Sequence, residues 1–168
     1  MKEIFQRRSV RRFTDEPVSA EAQEKLLRAA MQAPSAGNEQ PWEFIVVTDP
    51  ETRQKMTEGH PYSAPLTRAP LAILVCGDLG RQKFSPYDYW VQDCSAAVEN
   101  LLLEACHLGL GGVWMGVHPI REREEALISL FGLPEGVVPL GMLAIGHPAE
   151  VPAPADRYQP DRVHRERW

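Results

Sequence analysis

The sequence predicts an α+β fold, and three observations lead there. Helical and extended apolar patterns are interleaved along 168 residues. The extended runs are few and unevenly spaced, which does not suit a regular βαβ series. One helical pattern, at 90–108, is apolar on more than one face and therefore belongs at the centre of a domain or in a subunit interface.

The elements follow in order. Over 19–33, Ala22, Leu26, Ala29, Ala30 and Ala33 recur at helical spacing, with Ser19 as N-cap and Glu21 in the favourable first turn. Pro34 is expected to end that helix. Residues 44–47 are a short apolar, β-branched run stopped by Asp49 and Pro50, which reads as a buried strand; a short helix over about 50–58 follows. Residues 71–76 read as a second buried strand. The polar, turn-rich segment 78–88 suits a mobile lid. In the helix at 90–108, Val91, Cys94, Ala97, Val98, Leu101, Leu102, Ala105 and Leu108 supply the broad apolar surface.

Gly109, Gly111 and Gly112 break the helix and lead into 113–117, a strand or loop edge. A charged helix at 121–130 is stopped near Gly132 and Pro134, and a strand at 138–145 comes next. Beyond Pro148 the composition shifts to Pro152, Pro154 and Pro160 among charged residues, the pattern of an extended arm.

A length of 168 residues with 43% hydrophobic content fits a single domain spanning 1–168. The formal net charge of -5 argues against a general nucleic-acid binder, so the basic run at 7–12 is a local feature. Cys76, Cys94 and Cys106 are scattered in apolar segments without C-x-x-C spacing and are expected to be buried thiols. The first residues are charged rather than apolar, and no window approaches the ~20 apolar residues of a membrane span. The expectation is a cytoplasmic protein that touches neither membrane nor nucleic acid.

Two segments exceed what folding requires. Arg7, Arg8, Arg11 and Arg12 surround Ser9, a set suited to bidentate contact with a phosphate, or alternatively to a solvated N-terminal face. The connection at 34–41 carries Pro34, Gly37, Asn38 and Pro41, more breakers than a helix-to-strand turn needs. Its Ser35, Asn38 and Gln40 could meet the edge of a heterocycle. Together the two segments suggest a site for a phosphorylated, planar cofactor.

Other motifs are less productive. The glycines of 109–116 follow a helix rather than a strand and miss the G-x-G-x-x-G spacing, so they read first as a helix C-cap. A backbone N–H near Gly116 could still bond a flat ligand. The five histidines form no H-E-x-x-H pair and no serine sits in a G-x-S-x-G elbow, which leaves neither a metal site nor a hydrolytic triad. Tyr87, Tyr89 and Trp90 make an aromatic cluster for core packing or for a stacking wall.

Read together, Arg7-Arg8-Ser9-Val10-Arg11-Arg12-Phe13, then Ala33-Pro34-Ser35-Ala36-Gly37-Asn38-Glu39-Gln40-Pro41-Trp42, then Leu108-Gly109-Leu110-Gly111-Gly112-Val113-Trp114-Met115-Gly116, and finally Arg157, resemble the nitroreductase family of FMN-dependent oxidoreductases. The resemblance implies a three-layer α+β sandwich, its central antiparallel or mixed sheet flanked by helices. It also implies a homodimer with FMN at the subunit interface. In that frame Arg7, Ser9 and Arg11 hold ribityl and phosphate oxygens, Arg8 lies nearby, and Arg157 closes on the phosphate. Pro34, Ser35 and Ala36 line the isoalloxazine, while Asn38 and Gln40 order that loop or reach the partner's flavin. Trp114, Met115 and Gly116 lie along the ring, with the Gly116 N–H near N5.

The implied activity is reduction of nitroaromatic, quinone or similar small-molecule acceptors by a ping-pong hydride transfer from NADH or NADPH. It requires no catalytic side chain. The short chain implies an open pocket. Flavin-dependent dehalogenation or flavin cleavage is the alternative on the same scaffold, and a non-catalytic FMN-binding module is the alternative outside catalysis.

Overall fold

A computed structural model of the chain describes residues 2–84 and 86–168. The elements are α1 (Glu3–Gln6), α2 (Ala20–Ala30), β1 (Trp42–Val47), α3 (Pro50–Lys55), β2 (Leu71–Asp78), α4 (Tyr89–His107), β3 (Gly111–Gly116), α5 (Arg121–Phe131) and β4 (Val137–Gly146). The strands form one sheet in the order β1-β2-β4-β3, antiparallel at every pairing. No described helix is long and apolar enough to cross a membrane.

Alternation along the two central strands explains the layers. Leu71, Ile73 and Val75 of β2 and Leu143 and Ile145 of β4 pack with Leu26, Val98 and Leu101 of α2 and α4. Their neighbours Ala72, Leu74, Cys76, Met142 and Ala144 pack on the other face with Met56, Leu66 and Leu127. Two cores thus sandwich the sheet, and the expected three layers are present. Because β2 is covered on both faces, its sequence is an unbroken apolar run. A bulge between Val75 and Cys76 shifts the pairing with β4 from Gly141 to Pro139.

Most local signals act as expected. Ser19 Oγ accepts the Ala22 N–H at 3.2 Å and caps α2. That helix stops at Ala30 rather than Ala33: the residue before a proline is pushed out of the helical region, and the last turn tightens through Gln32 N to Ala29 O and Ala33 N to Ala30 O. The broad apolar surface of α4 is buried inside its own domain, against the sheet and α2. Gly109, at φ 73°, closes α4 in a Schellman motif, with Leu110 N donating to Ala105 O at 2.8 Å and Gly109 N to Cys106 O at 3.2 Å.

Two expectations need correcting, and one element had no counterpart among them. Cys106 is only half-buried, whereas Cys76 and Cys94 lie in the core and burial pushes each thiol up to about 12. Of the aromatic cluster, Trp90 alone enters the core; Tyr87 and Tyr89 stay exposed because they precede or open the helix on its solvent side. The N-terminal arm begins with the short helix α1, which has too few residues to leave a periodic signal.

The arm then runs beside the sheet edge. Ser9 bridges to Gly112 in parallel, Val10 N donates to Gly112 O at 3.0 Å, and Phe13 bridges to Pro148. From residue 149 onward the tail is exposed, with bends and one 3₁₀ turn at Pro160–Arg162. The segment proposed as a lid, of which Ser85 lies outside the described residues, is fastened at Asp78 and Glu43 by Arg81.

Candidate functional site

The site is built along β3. Val117 N bonds Leu140 O at 3.0 Å, so the odd-numbered residues of this strand face β4. The N–H and C=O groups of Gly112, Trp114 and Gly116 consequently point to the open edge. The arm occupies the edge at Gly112, and the stretch from Trp114 to Gly116 is left to a cavity of about 760 Å³.

That cavity is lined by Arg11, Arg12, Arg68 and Arg123, with His60, Tyr62, Trp114, Met115 and Gly116 among the rest, and, among the described residues, by no carboxylate. Among the described residues, neither Arg11 nor Arg68 has an acidic partner within 4 Å; Arg12 reaches Glu150 at 3.5 Å. A concave surface with unpaired guanidinium groups concentrates positive potential and suits a phosphorylated ligand.

Gly116 gives the cavity its floor. Among the described residues it is the one glycine with neither a positive φ nor an atom, beyond its chain neighbours, within 4 Å of a Cβ built on it. Elsewhere the protein itself accounts for the missing side chain: a Cβ at Gly111 would strike Val10, and one at Gly141 the Trp114 indole. At Gly116 nothing among the described residues does. Close approach by a ligand is the remaining physical use of a glycine at such a place.

The segment from His60 to Arg68 forms the opposite wall. Arg53 of α3, buried at 8% exposure, ties it down by donating to Leu66 O at 3.1 Å and to Ala69 O. Burial lowers the pKa of this guanidinium from its ordinary value.

Of the residues named from the sequence, the structure brings Arg11, Trp114, Met115 and Gly116 together around this cavity. It places the other named residues elsewhere in the chain. Arg7 pairs with Glu99 at 3.2 Å, and Arg8 donates to the tail carbonyls of Ala153 and Ala155 at 3.1 and 3.3 Å. Ser9 is held at the bridge to Gly112, and Arg157 lies exposed on the tail.

The connection carrying Pro34, Ser35, Ala36, Asn38 and Gln40 enters β1, at the other edge of the sheet. Three inter-strand steps separate it from β3, roughly 14 Å. Its shape is constrained: Gly37, Asn38 and Gln40 all have positive φ, at 52°, 56° and 49°. For Asn38 and Gln40 that is a costly conformation, which the surroundings must enforce.

They do so with several bonds. Asp93 of α4 accepts the Ala36 N–H at 2.9 Å, Ser35 Oγ accepts the Gln40 N–H at 3.0 Å, and Glu39 accepts the Lys83 N–H. Burial pushes the Asp93 carboxyl above the usual carboxylate range, the Ala36 N–H opposes that rise, and the nearby Glu39 carboxylate adds to it. Asp93 and Glu39 are 6% and 7% exposed and each keeps one oxygen without a partner.

Sequence reasoning missed His60, Tyr62, Arg68 and Arg123 as cavity residues. No local pattern marks them: His60, Tyr62 and Arg68 reach β3 from a segment distant in the chain, and Arg123 from the charged helix that follows it.

Comparison with known proteins identifies the family. The profile of the nitroreductase family matches residues 4–60 and 55–147, and the chain belongs to that family. It is 50% identical over 171 residues, covering 100% of this chain and 98% of the other, to an Archaeoglobus fulgidus protein provisionally named NADH dehydrogenase/NAD(P)H nitroreductase. A crystal structure from Clostridium acetobutylicum, provisionally named an NADH oxidase, superposes with a TM-score of 0.95 at 44% identity over 99% of both chains. A provisionally named nitroreductase from Desulfovibrio desulfuricans, solved in complex with FMN, does so with a TM-score of 0.84 at 32% identity, covering 99% of this chain and 96% of that one.

Proposed function

We propose that the chain is an FMN-dependent oxidoreductase that draws hydride from NADH or NADPH and reduces nitroaromatic, quinone or similar acceptors. The observation that carries this reading is the open glycine at Gly116, set on an unpaired strand edge inside an arginine-lined cavity. A flat ring can approach the backbone there, bond the edge N–H groups, and extend a phosphate toward Arg11. The FMN-bound relative and the names of the others support it.

Bound FMN would supply the redox chemistry, taking hydride from the nicotinamide and returning it to a second substrate after the first has left, a ping-pong scheme. The residues of this chain bind and orient. Arg11 meets phosphate or ribityl oxygens from the cavity wall. Arg7, Ser9 and Arg157 would join it, Arg7 by exchanging Glu99 for the ligand, with Arg8 fastening the tail nearby. Trp114, Met115 and Gly116 form the surface along the ring.

Pro34, Ser35, Ala36, Asn38 and Gln40 complete the site in a homodimer, where the loop of one subunit covers the cavity of the other. The separation of loop and cavity at opposite sheet edges supports that arrangement, as do Ile4 and Met31, which remain exposed beside grooves on the α2 and α4 surface. Cytoplasmic residence is part of the same reading.

The test is the visible spectrum of the purified protein supplied with FMN, followed by anaerobic NADPH or NADH and then a quinone. Bleaching by the nucleotide and recovery with the quinone are expected. A protein that takes up no flavin overturns the reading, and one that binds flavin yet is reduced by neither nucleotide is a binding module instead.

A further inference from the structure

The carbonyl oxygen of Gly116 receives two donors from outside the sheet. His60 is 7% exposed, and its Nδ1 accepts the Tyr62 N–H at 3.3 Å. That leaves the ring proton on Nε2, which stands 2.8 Å from the Gly116 oxygen. Arg123, in the first turn of α5, donates from Nη1 to the same oxygen at 3.0 Å. The two nitrogens are 3.4 Å apart because both converge on one acceptor, not because they bond each other.

The choice of partner is informative. The start of α5 is rich in carboxylates, and its neighbours use them: Arg121 pairs with Glu125 at 2.7 Å and His118 with Glu124 at 2.7 Å. Among the described residues Arg123 pairs with no carboxylate within 4 Å and is directed instead at a neutral carbonyl bordering the cavity. Glycine has the widest backbone freedom of any residue, so an edge glycine keeps a defined direction only when neighbours impose one. In a strand the N–H and C=O of one residue leave the same side, so pinning the oxygen also aims the N–H.

We infer that His60 and Arg123 are positioning residues for the redox cofactor. They hold the Gly116 carbonyl so that its N–H faces the cavity, and Arg123 places a permanent positive charge at the cavity border, where it favours the reduced, more negative form of the cofactor over the oxidised one. This inference rests on the FMN reading above.

The experiment compares the wild-type protein with Arg123→Met and Arg123→Lys, measuring FMN affinity by fluorescence titration, the FMN midpoint potential, and the melting temperature of the flavin-free form. Arg123→Met should bind FMN about tenfold more weakly and shift the potential to more negative values, while Arg123→Lys restores the potential. A merely structural role would lower the melting temperature without moving the potential of the bound flavin, and that result overturns the inference. Should Arg123→Met not fold, Arg123→Gln keeps a donor and removes the charge; an unchanged potential in that variant also overturns it. Wild-type protein that binds no FMN would fail the cofactor reading itself, a distinguishable result that takes this inference with it.

Discussion

Replacing Gly116 with valine separates folding from cofactor binding. Beyond its chain neighbours, no atom of the described residues lies within 4 Å of a Cβ at this position, and its φ is not in the left-handed region, so the added Cβ stands in open space. Glycine in a strand interior costs roughly 0.5–1 kcal/mol in backbone entropy, and a β-branched residue recovers it. The flavin-free protein should therefore gain about that amount, a rise in melting temperature of roughly 1–4 °C for a chain of this size.

FMN binding should respond in the opposite direction. Ring atoms stack at about 3.5–4 Å from their neighbours, and the valine methyl groups would occupy that distance. Losing the contact together with the Gly116 N–H bond should weaken FMN at least about tenfold. Scanning fluorimetry of the flavin-free protein and titration with FMN read the two effects separately. If the variant melts several degrees lower, the space beside Gly116 is not open; if it binds FMN as tightly as wild type, the ring does not lie there.

Among the described residues the Arg11 guanidinium hydrogen-bonds only the Ser9 carbonyl, at 3.3 Å. Arg11→Ala should leave stability within about 0.5 kcal/mol while weakening FMN by roughly 1.5–3 kcal/mol, as read by calorimetric titration; unchanged affinity returns the arm to a solvated face. The Cys76 and Cys94 thiols, raised by burial from 9.0 to about 12, bear on alkaline stability. Above about pH 9 the unfolded chain releases these protons and the folded one keeps them, so stability is complete below that pH and falls as pH rises toward 12. The slope should approach 1.4 kcal/mol per pH unit per thiol, roughly, and urea titrations of a Cys76→Ala, Cys94→Ala variant should show a flatter decline. Arg8→Ala removes both bonds to the Ala153 and Ala155 carbonyls. Together they are worth about 1–3 kcal/mol, so proteolysis of the tail should quicken by roughly 5- to 150-fold, and an unchanged cleavage rate would show that Arg8 does not hold it.

Which features the sequence disclosed depended on the range of the interaction behind them. Ser19, Gly109 and Gly132 act on residues within one helical turn, and the periodicity of α4 and the unbroken apolar run of β2 report their own burial. These placed every major element. The arm and the 34–41 loop were recognisable from composition, because each carries more charge or more breakers than its connection requires. Their relation in space was not. The order β1-β2-β4-β3 puts the loop and β3 at opposite edges, and that order is set by side-chain packing across the sheet rather than by any adjacent residues. His60 lies 56 positions from the Gly116 carbonyl it bonds, and only the fold makes them neighbours. Arg7 and Arg8 carried the expected charge, yet Glu99 and the tail carbonyls satisfy them within the single chain.

The unpaired edge of β3 bears on the fate of the protein before any ligand arrives. A strand with free N–H and C=O groups is a template for other strands, and proteins guard such edges against association. Here the N-terminal arm covers Gly112, and His60 with Arg123 caps the Gly116 oxygen, leaving the Trp114 backbone and the Gly116 N–H open between two guards. Whatever fills the cavity closes that gap. Flavin supply during synthesis would then govern the yield of dispersed protein, so that the cofactor serves solubility before it serves electron transfer.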